Sequence, residues 1–450
     1  MRYVFLVLPA APIFLVVASS GRALLSVIVV FSLLFFQSEG GIATAGKLAV
    51  LACVVYVIGV VRLRQPAKSR SPSTSVPVLQ VFGVIAVVFS GVLGGFSGNK
   101  LEFAIRDLVG PLLILSAPGV GRKLGSQVRP GDVLHLIRLT AVLSSVSYFL
   151  YWSSTRGLIS ARFINFGVAS WSLPLFCCLV LVVRKDTKRY DYFFASVGML
   201  FLLFSGSRSI LLPLSAFILG IVWSRTLPDN ALHRRRQLRL VLPFSAALII
   251  SLLVARTLSI NPGRLLDRTL SAFSLRTPRG DASYLERLSQ ARVGWATFKQ
   301  FPIFGAGPGH VYQFAGLYGR LKGSYVLEAP SALFADFGGV GAFLLLLVLV
   351  SLTVNGYAVI SRFDRNLAIA WASTLLSVIL FSLVSNPFDD KGLFIVILLG
   401  ASFFHSIGSG PENATDTRKF DGAGTPSILA PNIAGALPST CRPVHARFDL

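Results

Sequence analysis

The chain has 450 residues, of which 54% are apolar and only 14% are charged, and its mean hydropathy is +0.71. Soluble globular domains carry about 25% charged residues, so the composition excludes a soluble multidomain protein. The formal net charge is +23, from 42 basic and 19 acidic residues. Nucleic acid is not the predicted partner, because most of the basic residues stand in short connections between apolar runs.

Apolar runs of the length that crosses a bilayer, roughly 17 to 25 residues, follow one another along most of the chain. We therefore predict an all-α fold, a polytopic transmembrane helical bundle of about 12 to 13 spans with one long helical outer loop. The spans are expected at 3–19, 23–36, 44–61, 76–95, 103–119, 132–152, 166–183, 190–205, 209–224, 240–255, 331–354, 367–385 and 391–405.

The loops between the predicted spans fix the orientation of the bundle. Loops 62–75, 184–189 and 225–239 are rich in Arg and Lys, and such loops face the cytoplasm. This orientation places 256–330, within a bundle of residues 1–405, as a long extracytoplasmic loop. Residues 406–450 are rich in Gly, Pro, Ser and Thr, which predicts a disordered cytoplasmic tail.

The outer loop contains a predicted helix followed by a tight turn. Ser283 and Glu286 form a capping-box pattern, and Pro302 ends the helix. The apolar positions between them are Leu288, Ala291, Trp295 and Phe298. Their spacing predicts a stripe that lies on the membrane surface or on the bundle. Three glycines then alternate through 305–309, which predicts a turn with approachable backbone amides.

Basic side chains dominate this loop. They are Arg256, Arg264, Arg268, Arg276, Arg279, Arg287, Arg292, Lys299, Arg320 and Lys322, against Asp267, Asp281 and Glu286. One interpretation is a solvated face or contact with anionic lipid headgroups. The other is a diphosphate site, because guanidinium groups bind phosphate oxygens in pairs and keep their charge.

Further candidates lie near the predicted outer boundary of the membrane. Arg208 stands in a short turn between two spans, and Arg162 stands in the preceding outer loop. Each could equally be a snorkelling residue that anchors a helix end. Glu102, Arg106 and Asp107 begin a span; they are weaker candidates, since they could pair with one another. Three of the four cysteines fall within apolar spans and the fourth in the tail, and the five histidines show no paired spacing, so neither a disulfide framework nor a metal site is predicted.

Three segments together resemble the bacterial O-antigen ligase and O-antigen polymerase (Wzy) superfamily. The segment 203–208, LFSGSR, looks like its Ser-Arg hairpin. Residues 286–309 are similar to its outer-loop motif, an Arg-led helix that ends in Pro and a Gly-x-Gly-x-Gly turn. The segment 335–341, ADFGGVG, is similar to the Glu-Leu-Gly-x-x-Gly segment after its loop. The resemblance covers roughly residues 150–400.

The resemblance implies a membrane glycosyltransferase of the bacterial cytoplasmic (inner) membrane with its active site on the outer face. Its substrate would be a glycan on a polyprenyl diphosphate. Because the glycosyl bond is already activated, no nucleotide, metal or other cofactor is implied. Membrane lipid and other polysaccharide-assembly proteins are the further partners implied. Ligases of this family carry a His-Asn pair shortly before the last segment, where this sequence has Leu327 and Glu328. The difference favours a polysaccharide polymerase or an unusual polysaccharide ligase over an O-antigen-type ligase.

Residue roles follow from this resemblance and from the chemistry of diphosphate departure. Arg208 and Arg287, supported by Arg162, would bind the diphosphate. Glu328 would be the base for the acceptor hydroxyl, with His310 as the second candidate. The turn residues Gly305, Gly307 and Gly309 would let backbone amides or the acceptor approach.

Two other function classes remain open at this point. A secondary transporter also has about twelve spans, but it would be expected to show two related halves with broken helices and intramembrane charges. A non-catalytic assembly or scaffold protein would have dispersed outer arginines and no cavity that reaches the lipid.

Overall fold

The computed structural model describes residues 20–35, 50–54, 75–154, 172–184, 186–204, 211–226, 282–316, 321–324, 327, 329–383, 386–389 and 392–408. Helices make up most of these residues. They are α1 (Gly21–Phe35), α2 (Ser75–Phe96), α3 (Leu101–Gly125), α4 (Pro130–Ser154), α5 (Ser172–Val183), α6 (Arg189–Phe204), α7 (Leu211–Thr226), α8 (Ala282–Gln300), α9 (Ala332–Ile360), α10 (Arg365–Phe381) and α11 (Leu393–Gly408).

The helical character predicted from the apolar runs is confirmed where it can be compared. Every predicted span that falls on described residues overlaps a helix. Three helical stretches, Val78–Phe96, Leu101–Gly125 and Ala332–Ile360, are long and apolar enough to cross a membrane. The predicted spans 3–19 and 240–255, most of 44–61 and almost all of the predicted tail lie outside the described residues.

The predicted helix of the outer loop is confirmed as α8, but a short strand pair after it was not predicted. Strands β1 (Tyr312–Ala315) and β2 (Leu321–Ser324) pair antiparallel. The first strand buries Tyr312 and Phe314 and exposes Gln313 and Ala315, the two-residue period typical of a half-buried strand. Four alternating residues are too few to be recognised as a strand in a sequence dominated by long apolar runs.

The exposed side of α2 shows how an apolar helix meets its surroundings. Val78, Phe82, Ile85 and Phe89 are all exposed although they are large and apolar. Their spacing of three and four residues places them on one face of the helix. An outward apolar face is typical of a helix that faces lipid rather than water.

Close packing between α3 and α11 depends on small residues. A Cβ atom at Gly121 would stand 2.7 Å from the Cβ of Ala401, and one at Gly125 would stand 2.5 Å from the carbonyl oxygen of Ser402. Glycines four residues apart leave a groove on one helix face, into which the backbone of a neighbouring helix fits. The pair therefore sets the short distance between the two helix axes.

A buried ion cluster joins α4, α6 and the end of α5. Asp191 is fully buried; its two carboxylate oxygens lie 2.5 Å from Arg138 Nε and 3.3 Å from Arg184 Nη2. Arg184 also contacts Asp186. Buried charges are tolerated when they are paired in this way. Arg184 belongs to a loop that the sequence predicts to be cytoplasmic, but its side chain serves the packing of the bundle.

Candidate functional site at the loop and helix ends

The glycine turn after α8 docks directly against the start of α9. The amides of Ala306 and Gly307 donate to the carbonyl oxygens of Ala335 and Asp336, at 2.8 and 3.2 Å. In the opposite direction, the amide of Gly339 donates to the carbonyl of Pro302 at 2.8 Å. The segments 302–307 and 335–340 therefore lie side by side and exchange backbone hydrogen bonds.

A break in α9 makes this exchange possible. Gly338 has φ 67° and ψ −173°, outside helical geometry, a conformation almost restricted to glycine. A Cβ atom at this position would stand 2.2 Å from the carbonyl oxygen of Ile303. The break frees backbone groups of α9 that would otherwise bond along the helix, and the turn uses them.

One side chain of α2 and one of the connection between α2 and α3 bind the other side of the turn. Asn99 Nδ2 lies 3.0, 3.0 and 3.1 Å from the carbonyl oxygens of Ala306, Gly307 and Pro308. Ser90 Oγ donates to the carbonyl of Phe304 at 3.2 Å. The turn therefore lies against α9 on one side and against α2 and the connection between α2 and α3 on the other.

The three glycines of the turn are needed for backbone approach. Gly305, Gly307 and Gly309 have φ values of 75°, 83° and 80°, which glycine adopts without steric cost. A Cβ atom at Gly307 would stand 2.4 Å from the Cα of Gly94 in α2. Only a turn without side chains at these positions can lie this close to its neighbours.

The glycine amides, however, are occupied by the protein itself. Those of Gly305 and Gly307 donate to the carbonyls of Phe301 and Asp336, and that of Gly309 donates to Asp107 Oδ2 at 2.8 Å. The sequence predicted that these amides are approachable by a substrate. The structure instead uses them to fix the turn, and four titratable side chains lie around it.

Those side chains form what we name the Tyr312 cluster, which consists of Asp107, His310, Tyr312 and Asp336. The buried hydroxyl of Tyr312 donates to Asp336 Oδ1, and the ring centroids of His310 and Tyr312 are 4.8 Å apart. Burial, then the charge of Asp336 and its hydrogen bond, then the charge of Asp107, raise the pKa of Tyr312 well above its usual range. Burial lowers the pKa of the half-buried His310, so its imidazole is neutral at pH 7.

Tyr312→Phe tests the hydrogen bond in this cluster. We expect the free energy of unfolding to fall by about 1–3 kcal/mol, because the buried Asp336 loses a donor. Since the folded state raises the pKa of Tyr312, its hydroxyl stabilises fully below pH 10 and this contribution is lost as the pH rises further. Thermal unfolding in detergent at neutral and alkaline pH measures both effects. Equal wild-type and variant midpoints at neutral pH would contradict the assignment.

Of the three arginines predicted to bind the diphosphate, Arg287 is the one that lies within the described residues. It lies half-buried on α8, the helix that leads into the glycine turn. Its neighbour Glu286 forms an ion pair with Lys322 of β2, with 3.5 Å between Oε1 and Nζ. The Lys322 side chain is exposed, whereas that of Glu286 is mostly buried. Arg208, Arg162 and Glu328 lie outside the described residues, so their position beside Arg287 stays a prediction.

Sequence reasoning missed most of the polar contacts around the turn. Asn99 was not singled out, and Asp107 was expected to pair with its charged neighbours rather than with a glycine amide more than two hundred residues away. Asp336 appeared only within a motif. A signal existed for both acids, since a carboxylate inside an apolar run is a functional or structural candidate by default. Among the residues that the structure describes, no group of three His, Cys, Asp or Glu side chains could hold a metal ion.

Comparisons with known proteins add no family to this picture. No protein-family model matches the sequence, and no curated protein matches it significantly.

Proposed function

We propose that the chain is a polytopic membrane glycosyltransferase of about 12 to 13 spans, which joins polyprenyl-diphosphate-linked oligosaccharide units at the outer face of the bacterial cytoplasmic membrane. In this proposal it is a surface or exopolysaccharide polymerase. One observation carries the proposal: the two segments that resemble the family's outer-loop and post-loop motifs are hydrogen-bonded to one another through Ala306, Gly307 and Gly339. Motifs that act in one site are expected to meet in this way.

In the proposed reaction, a sugar hydroxyl of the acceptor attacks the anomeric carbon of the donor glycan. A new carbon–oxygen bond forms as the bond to the diphosphate breaks, and the bonding pair leaves with the lipid diphosphate. The hydroxyl proton passes to a protein base. Arg287, with Arg208 and Arg162, stabilises the charge that develops on the departing diphosphate.

The base is Glu328 in this proposal, with His310 as the second candidate. A neutral imidazole can accept a proton at pH 7, and the lowered pKa of His310 is consistent with that role. Glu328→Gln and His310→Gln, compared in one elongation assay, distinguish the two. The variant that loses activity identifies the base, and full activity of Glu328→Gln removes Glu328 from the proposal.

Deletion of the gene followed by sizing of surface and lipid-linked polysaccharide tests the function. A polymerase predicts that long chains disappear while single lipid-linked repeat units remain. Accumulation of complete lipid-linked chains would instead identify an O-antigen-type ligase that transfers glycan to a lipid or protein acceptor. Unchanged amounts and lengths of both pools would contradict either activity.

A further inference from the structure

Helix α8 packs on the bundle with an unusual choice of residues. Its buried side consists of Gln290, Gly294 and Thr297, which are small or polar. A Cβ atom at Gly294 would stand 2.3 Å from Ser331 Oγ. This glycine lets α8 lie close against the segment before α9, and Trp295 and Phe298 add ring contacts with Phe334 of α9.

The opposite side of α8 is where its large apolar residues lie. Leu285, Leu288 and Trp295 are exposed, and Arg292 and Lys299 are exposed between and after them. We name these five residues the α8 stripe. Their spacings of three and four residues place them on a single helix face. The sequence predicts that the apolar stripe meets either the membrane or the bundle. Of its four residues, Leu288 and Trp295 are exposed, whereas Ala291 and Phe298 are half-buried.

The α8 stripe continues into the outward side of α9. Phe301 and Ile303, directly after α8, are exposed. The carbonyl of Ile303 accepts a hydrogen bond from the amide of Val340 at 3.2 Å, and Val340 and Phe343 are exposed on α9. Since α9 is long and apolar enough to cross a membrane, exposed apolar residues follow α8 directly and lie beside a candidate span.

We propose that α8 lies in the membrane–water interface, with Leu285, Leu288 and Trp295 in the headgroup and upper acyl region and with Arg292 and Lys299 on the phosphates of anionic phospholipids. Trp is enriched at this depth of the bilayer. Interfacial helices place Leu and Trp at the acyl boundary and Lys or Arg at the headgroups. Arg292 and Lys299 lie on the same face as the apolar residues, and their long side chains can extend from it to the phosphates, where each cation adds attraction to anionic lipid. This proposal is independent of the proposed function.

A fluorescent label on the stripe tests the location. Leu288→Cys is prepared in full-length Cys441→Ser protein, in which Cys53, Cys177 and Cys178 are buried, and is labelled with bimane in nanodiscs that contain phosphatidylglycerol and phosphatidylcholine. We expect quenching by lipids with a nitroxide high on the acyl chain and protection from aqueous iodide. Gln313→Cys, an exposed position on β1, is the matched control and should show the reverse. Iodide quenching at position 288 equal to that of the control would overturn the proposal.

The two cations are tested separately from the apolar contact. In nanodiscs with phosphatidylglycerol, Arg292→Gln combined with Lys299→Gln is expected to reduce lipid quenching at position 288 to the level seen in phosphatidylcholine alone. Equal wild-type quenching in both lipid compositions would overturn the assignment of these residues to anionic headgroups. Quenching by a spin-labelled second copy of the chain, without quenching by lipid, would identify a protein interface and contradict the proposal.

Discussion

Arg287→Ala is expected to abolish chain elongation while the protein remains folded. The leaving group of the proposed reaction is a lipid diphosphate, and a guanidinium that binds two of its oxygens stabilises the charge that develops as it departs. Loss of one such group commonly lowers turnover about 100- to 1,000-fold. Arg287→Lys keeps the charge but not the paired geometry, so it is expected to fall between the wild type and the Ala variant. The measurement is the length distribution of glycan made in membranes.

Lys322→Ala provides the matched control for Arg287→Ala. Lys322 is a basic residue of the same loop, and its exposed ion pair with Glu286 lies next to Arg287 along α8. Exposed pairs contribute about 0–1 kcal/mol, so elongation should stay near the wild-type level. If Arg287→Ala gives near-normal chain lengths, Arg287 does not bind the diphosphate. If Lys322→Ala fails equally, the effect reflects the total charge of the loop.

Gly338→Ala is expected to be the most destabilising single substitution at the site. The backbone region that Gly338 occupies costs a residue with a side chain on the order of 1–3 kcal/mol. In addition, the new methyl group would stand 2.2 Å from the carbonyl oxygen of Ile303. Relief of that clash separates the segment from the glycine turn and breaks the bonds from Gly339 and Val340 to Pro302 and Ile303. The total loss should exceed about 3 kcal/mol.

Gly95→Ala is the corresponding control, because Gly95 lies in α2 with no atom within 4 Å of the place where a Cβ would stand. Ala is favoured over Gly inside a helix by roughly 0.5–1 kcal/mol, so its unfolding midpoint should equal or exceed that of the wild type. The measurement is the thermal midpoint of purified protein in detergent. A Gly338→Ala midpoint equal to that of Gly95→Ala would contradict the packing described for the turn.

The helices could be predicted from sequence because each depends on a long local pattern. An apolar run specifies a helix such as α2 or α9 without reference to the rest of the chain, and Pro302 marks the end of α8 correctly within two residues. Pairings between distant segments could not be read in this way. The contact of Gly121 and Gly125 with α11 and the cluster of Asp191 with Arg138 and Arg184 depend on which helices become neighbours.

The candidate site shows the same division. The glycine turn could be predicted because alternating glycines are locally distinctive, but its use could not. Whether such amides face a substrate or the protein depends on what lies opposite them. Here Asp107 and Asp336, on two other helices, supply the acceptors for Gly309 and Gly307. The orientation of α8 could not be read from the sequence for a related reason. The apolar spacing predicts a stripe on the membrane surface or on the bundle, and only the neighbours of α8 determine that Gln290, Gly294 and Thr297 are its buried side.

We propose that this chain alone transfers glycan from a lipid diphosphate at a site that contains Arg287. The most direct measurement incubates the purified protein in nanodiscs with a labelled polyprenyl-diphosphate oligosaccharide in the presence of a metal chelator and without nucleotides. We expect lipid-linked chains longer than the added oligosaccharide, with one polyprenyl diphosphate released for each bond formed. Both products should be absent with Arg287→Ala. Folded wild-type protein that leaves the cognate lipid-linked oligosaccharide unchanged would contradict the proposal.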